Sequence, residues 1–127
     1  MKNDPTIPEN WYLYAKRDLE RAHKRLAEED VECMIFHCQQ CAEKMMKGWL
    51  ISHGWKLIYS HDLMLLTKAT ASYGCDLQWF EESADTLSKS YVSLRYPFLS
   101  DDIPSHAEAE LLLHETEKLV AQLLPTP

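Results

Sequence analysis

From Trp11 to Leu94 the chain repeats apolar residues at intervals of three and four and scarcely breaks the pattern. That period commits it to amphipathic helices, because 3.6 residues per turn gather such positions onto one stripe. Breakers are rare: there are 3 Gly and 6 Pro, and Pro5, Pro8, Pro125 and Pro127 lie in the tails. No stretch of strand length alternates apolar and polar residues between turn signals, so strands are not needed.

Five segments follow from the stripes. Trp11, Ala15, Leu19, Ala22 and Leu26 make the first. Asp30 is placed to cap a second, carrying Val31, Met34, Cys38, Cys41, Met45 and Trp49 over about 23 residues, with Gly54 as its stop. Ser60 is expected to cap a short third with Leu63, Leu66, Ala69 and Tyr73, closed by Gly74. Asp76 is expected to open a fourth with Leu77, Phe80, Ala84, Leu87, Tyr91 and Leu94, ended by Pro97. Ser105 with Glu108 spells a capping box, and Ala109, Leu112, Thr116, Leu119 and Leu123 follow. The expectation is an all-α, up-and-down helical bundle of four main helices plus one short helix. It spans 11–124, after a polar leader at 1–10 and before a tail at 125–127. At 127 residues, 46% hydrophobic and 26% charged, the chain is one folded core rather than a disordered segment.

Charge divides unevenly. Residues 1–60 carry nine basic and nine acidic side chains, whereas 61–127 carry four basic and eleven acidic, so the net −7 belongs to the second half. Sequence-independent binding to a phosphate backbone favours a basic protein, which makes RNA the less expected partner. No apolar run approaches the length that crosses a bilayer, so no membrane role is expected. Cys33, Cys38 and Cys41 share one helical pattern, Cys75 stands apart, and no secretory leader precedes them. Reduced thiols and a cytoplasmic location are the expectation.

Few residues suggest chemistry. Cys33, His37 and Cys41 stand at i, i+4 and i+8 and could offer soft metal ligands, but one straight helix spreads them over about 12 Å, too far for one ion. Packing is the better reading, and neither a metal nor a cofactor is expected. His61 and Asp62 are neighbours, which on a helix do not face each other. Nucleophile elbows, glycine-rich phosphate loops, HExxH and paired CxxC are all absent. Arg17, Arg21, Lys24 and Arg25 form a basic strip among Glu20, Glu28 and Glu29, which reads as a solvated mixed-charge face. Glu43 and Lys47 read as a helix-surface ion pair. Arg95, just before Tyr96 and Pro97, can satisfy the last carbonyls of its helix or present a fork to phosphate; both roles stay open.

Four segments together resemble the HEPN family: "RDLERAHKRL", "FHCQQCAEKMMKGWL", "SHDLMLL" and "SLRYP". The resemblance runs from about residue 11 to residue 124 and implies a bundle of about five helices that forms a homodimer. Many family members are metal-independent ribonucleases that use an arginine followed after four to six residues by a histidine. Arg95 fits the arginine, but Ser100, Asp101 and Asp102 stand where the histidine is due, and the next is His106. That departure disfavours catalysis, so no catalytic residues are assigned; a divergent ribonuclease toxin would use Arg95 with His106 or His61. Other short members are partners of a minimal nucleotidyltransferase in toxin–antitoxin-like pairs and are described as nucleotide-binding. On that reading Arg95, Tyr96, Lys44 and Lys47 are the candidate nucleotide or phosphate ligands.

Overall fold

A computed structural model describes residues 4–95 and 103–125, with only the backbone of 92–95. Five α-helices follow one another: α1 (Pro8–Ala27), α2 (Val31–Ser52), α3 (Leu63–Ser72), α4 (Glu81–Arg95) and α5 (His106–Leu123). A 3-10 turn, Gln78–Phe80, leads into α4, and no strand occurs among the described residues. The all-helical bundle expected from the periodicity is what the chain forms.

α2 is the axis. It packs against each of the other helices, most extensively along α1, while α3 lies against α4 and α5 closes over α1 and α2. Met34, Cys38, Cys41, Met45 and Leu50 bury one side of α2 in a core completed by Ala15, Ala22, Leu66, Phe80, Leu87, Leu112 and Leu119. α1 and α2 approach closely at Gly48, where a Cβ would stand 2.8 Å from Tyr12 Cε1 and 2.9 Å from Trp11 Cβ. Glycine is required there because any side chain would push the helices apart.

The helix boundaries depart from the sequence expectation in instructive places. α1 begins at Pro8 inside the expected leader, since proline at the first helical position has its φ preset and needs no donor. Asp62, rather than Ser60, caps α3: its side chain accepts from the Met64 and Leu65 amides, while Ser60 Oγ accepts from Asp62 N. The Asp62 carboxylate outcompetes the serine because it lies next to the unpaired amides of the first turn. Asp76 accepts from Gln78 N and so opens the 3-10 turn, with α4 itself starting at Glu81. Asp30 caps α2, and Ser105 with Glu108 forms the complete capping box of α5, as anticipated. Pro97 lies outside the described residues.

Candidate functional site

Two carboxylates are buried beside or on α2, each among hydrogen-bonding and basic partners. Asp18, from α1, is 3% exposed and lies on the same inner stripe as Ala15 and Ala22. His37 Nδ1 meets its Oδ1 at 2.9 Å, and Lys44 Nζ pairs with its Oδ2. Helical spacing explains the clamp, because positions 37 and 44 lie two turns apart on the same side of α2. Glu43, 5% exposed, forms the second centre. Its Oε1 accepts from His61 Nδ1 at 2.8 Å and from Gln39 Nε2 at 3.1 Å, and its Oε2 accepts from Lys47 Nζ at 3.0 Å. Residues 39, 43 and 47 are spaced by four, so one ridge of α2 supplies three members. Gln39 also donates to the His61 carbonyl at 3.2 Å, which ties the segment before α3 onto that ridge.

The Glu43–Lys47 pair is therefore not the surface pair expected from its spacing. Lys47 is 4% exposed, with Nζ 5.8 Å from the centroid of Trp11. The ridge that carries both residues is covered by α1 and by the His61 segment, which the sequence interval cannot reveal. A buried carboxylate is tolerable only when hydrogen-bonded and paired, and here it has three donors.

The same partners orient two imidazoles. An ionised carboxylate only accepts, so Nδ1 of His37 and of His61 carries the proton in each bond. In the neutral form of either ring, that leaves Nε2 as the acceptor. The His61 side chain remains 56% exposed. Between the two histidines runs an aromatic row: Phe36 meets His37 edge-on at 5.2 Å, stacks on Tyr91 at 6.2 Å and 14°, and Tyr91 touches His61 at 5.3 Å. Phe36 is 40% exposed, giving the row an accessible apolar surface. Tyr91 belongs to α4, and Arg95 ends that helix one turn later.

The predicted site residues fall into separate places. His61 belongs to this face, and the backbone of Arg95 closes the helix that supplies Tyr91. Lys44 and Lys47 connect to it only through their carboxylates, Lys44 pairing with the Asp18 that holds His37 and Lys47 with the Glu43 that holds His61. Lys44 also lines a pocket of about 250 Å³ with Asp4, Pro5, Asn10, Trp11 and Tyr14. His106 opens α5, where its Nε2 pairs with Glu110 at 2.9 Å. Tyr96 lies outside the described residues. The Cys33–His37–Cys41 row is dispersed: Cys33 is exposed, Cys41 is buried, and His37 is engaged by Asp18. Among the described residues no group of three side chains is arranged to hold a metal. Burial pushes the Cys38 thiol up to about 12 and Cys41 higher still, so both are neutral packing groups. A hydrogen bond to Asp30 raises the exposed Cys33 thiol as well.

Asp18, Phe36 and Tyr91 were not among the site residues singled out from the sequence. Asp18 carried a signal, since it stands three and four residues from Ala15 and Ala22 on an otherwise apolar stripe. Phe36 and Tyr91 carried none, because their contact joins two helices far apart in the chain.

A family model for the HEPN domain matches residues 8–124, nearly the whole chain. The chain belongs to the HEPN family. Among solved structures, this HEPN chain is similar to TT1696 from Thermus thermophilus, at 26% identity and a TM-score of 0.80, covering 91% of this chain and 94% of that one. It shares its fold with ST0689, an archaeal HEPN homologue, at 24% identity and a TM-score of 0.72, covering 92% and 94%. No curated protein matches the sequence. Among the described residues, no helix of this HEPN domain is long and apolar enough to cross a membrane.

Proposed function

We propose that this HEPN chain is a non-catalytic binding subunit: a cytoplasmic homodimer that associates with a minimal nucleotidyltransferase and holds a nucleotide phosphate. The observation that carries this reading is the state of its lysines. Lys44 and Lys47 are already matched by Asp18 and Glu43, so these two lysines leave little surplus charge for a long polyanion. A small ligand needs less. Phe36 offers its ring to a planar base, and the phosphate falls to Arg95 with Tyr96, while Lys44 and Lys47 support the face by holding its carboxylates. A thermal-shift series with a nucleotide panel tests the ligand. Wild type is expected to be stabilised by at least one nucleotide and Arg95→Ala by none. No shift in either protein would withdraw nucleotide binding and leave partner binding alone.

One observation favours a second reading, a divergent metal-independent ribonuclease. Glu43 holds His61 through Nδ1 and leaves Nε2 of a half-exposed ring as the remaining acceptor, the arrangement of an oriented general base. His61 would take the proton of a ribose 2′-hydroxyl as that oxygen bonds to the adjacent phosphorus and the bond from phosphorus to the 5′-oxygen breaks, the 5′-oxygen leaving with a proton from water, while Arg95 stabilises charge on the phosphate. Chelator-resistant RNA cleavage that disappears in His61→Ala would establish this reading; intact RNA after incubation with folded protein would remove it.

A further inference from the structure

The segment before α1 folds back on that helix and shapes an opening that the functional reading does not use. Its volume is about 250 Å³, and Asp4, Pro5, Asn10, Trp11, Tyr14 and Lys44 line it. The walls are tied in place by the protein itself. Trp11 Nε1 donates to the Pro5 carbonyl at 2.9 Å, and Asn10 Nδ2 donates to the Asp4 carbonyl at 3.0 Å. Trp11 and Tyr14 stand three residues apart on α1, so their rings leave the same side of the helix. Each ring already has a cation against it: Lys47 Nζ lies 5.8 Å from the centroid of Trp11, and Arg17 Cζ lies 5.1 Å from that of Tyr14. Lys44, from α2, completes the lining. Asp18 Oδ2 holds its ammonium while its side chain stays 24% exposed. An ammonium has three N–H groups, so that bond anchors the head and leaves donors for a second acceptor. The lining acid, Asp4, is engaged within its own turn, where Oδ1 accepts from the Thr6 amide at 2.8 Å and the Thr6 hydroxyl at 2.7 Å. Aromatic walls with one anchored cation are the makings of a small-molecule site.

We propose that this opening binds a small aromatic carboxylate, its ring against Trp11 and Tyr14 and its carboxylate on Lys44 Nζ. A ring is favoured over an aliphatic chain because contact between aromatic rings adds to the area they bury. One charge is favoured over two. Asp18 and Glu43 already match Lys44 and Lys47, so the opening tolerates one further negative charge better than the two of a phosphate. The proposal goes beyond the nucleotide reading, which gives the phosphate to Arg95 and Tyr96, and does not depend on it.

The test follows the indole N–H signal of Trp11 in the ¹⁵N-labelled full chain, identified with Trp11→Phe. The probes are phenylacetate, phenylacetamide, cyclohexylacetate and phenyl phosphate. Phenylacetate is expected to shift the signal saturably. Phenylacetamide, which lacks the charge, should bind about tenfold more weakly; cyclohexylacetate should also bind more weakly, and phenyl phosphate no more tightly. Tyr14→Leu should weaken phenylacetate binding severalfold, and Asp4→Asn should tighten it. Lys44→Gln alone strands Asp18, so the charge is removed together with its partner in the Asp18→Asn, Lys44→Gln double variant, for which phenylacetate and phenylacetamide should bind equally. Equal binding of those two probes by wild type, a folded double variant that still prefers phenylacetate, or indifference to Tyr14→Leu would each overturn the proposal. So would a Trp11 signal that moves on dilution of the protein alone, since a second copy would then cover the opening. A nucleotide that competes with phenylacetate for the Trp11 signal would make this the nucleotide site and overturn the proposal. If phenylacetate binds as stated while no nucleotide stabilises the chain, the earlier reading fails and the proposal stands.

Discussion

Asp18 occupies a position on α1 where the apolar stripe calls for a hydrophobic side chain, and its partners decide whether it can stay there. Removing one member of a buried ion pair leaves the other uncompensated, so Asp18→Ala, which strands His37 and Lys44, should cost about 3 kcal/mol in urea unfolding. A cost near zero would mean that the cluster contributes no stability. The thiols give a second residue-scale forecast. Burial raises Cys38 from 9.0 to about 12, so the folded state keeps a proton that the unfolded chain releases first. The associated stability is complete below pH 9 and lost as the pH climbs toward the folded value. Unfolding free energy should therefore fall over that alkaline range, and Cys38→Ala should flatten the fall. Thiol titration near neutral pH should find Cys38 and Cys41 unreactive until denaturant is added. Much of this was hidden from the sequence: Asp18 could be spotted as a charge on an apolar stripe, but its partners lie 19 and 26 residues away and meet it only through packing.

At the scale of elements, α1, α2 and α3 end with the same pair of backbone bonds. Asp30 N reaches Arg25 O and Glu29 N reaches Leu26 O, as Trp55 and Gly54 do after α2 and Cys75 and Gly74 after α3. This is the Schellman closure, which needs a left-handed residue. Glycine fills that place at φ 90° and 104°, whereas after α1 it falls to Glu29 at φ 60°. Glu29→Gly relieves the side-chain strain and gives back part of the gain in unfolded-chain entropy, leaving about 0.5–1 kcal/mol of stabilisation. A raised melting temperature would show it; a lowered one would contradict the strain. Gly48→Ala should do the opposite, costing about 1–3 kcal/mol as α1 is forced off α2. Helix existence and order were legible because the stripes of α2, α4 and α5 run on uninterrupted. The start of α3 was less so, since Ser60 and Asp62 both suit a cap and the one whose side chain stands beside the Met64 and Leu65 amides takes the role.

For the whole molecule, the apolar surface that the single chain leaves uncovered bears on assembly. Trp11, Trp49, Trp55 and Trp79 are all only partly buried, which agrees with four large aromatics being more than one core encloses. Leu13, Phe36, Ile58, Tyr59 and Leu65 are exposed, and apolar side chains of this size are the material of interfaces. The proposed homodimer should elute and scatter at twice the chain's 14.8 kDa, and a monomer at micromolar concentration would refute it. The most direct test of the binding-subunit account is light scattering on the tagged chain purified after co-expression with a minimal nucleotidyltransferase from the same genome. The account predicts a single species heavier than the homodimer, containing both proteins in fixed proportion and leaving RNA intact. A homodimer alone, with the nucleotidyltransferase in the flow-through, would contradict it.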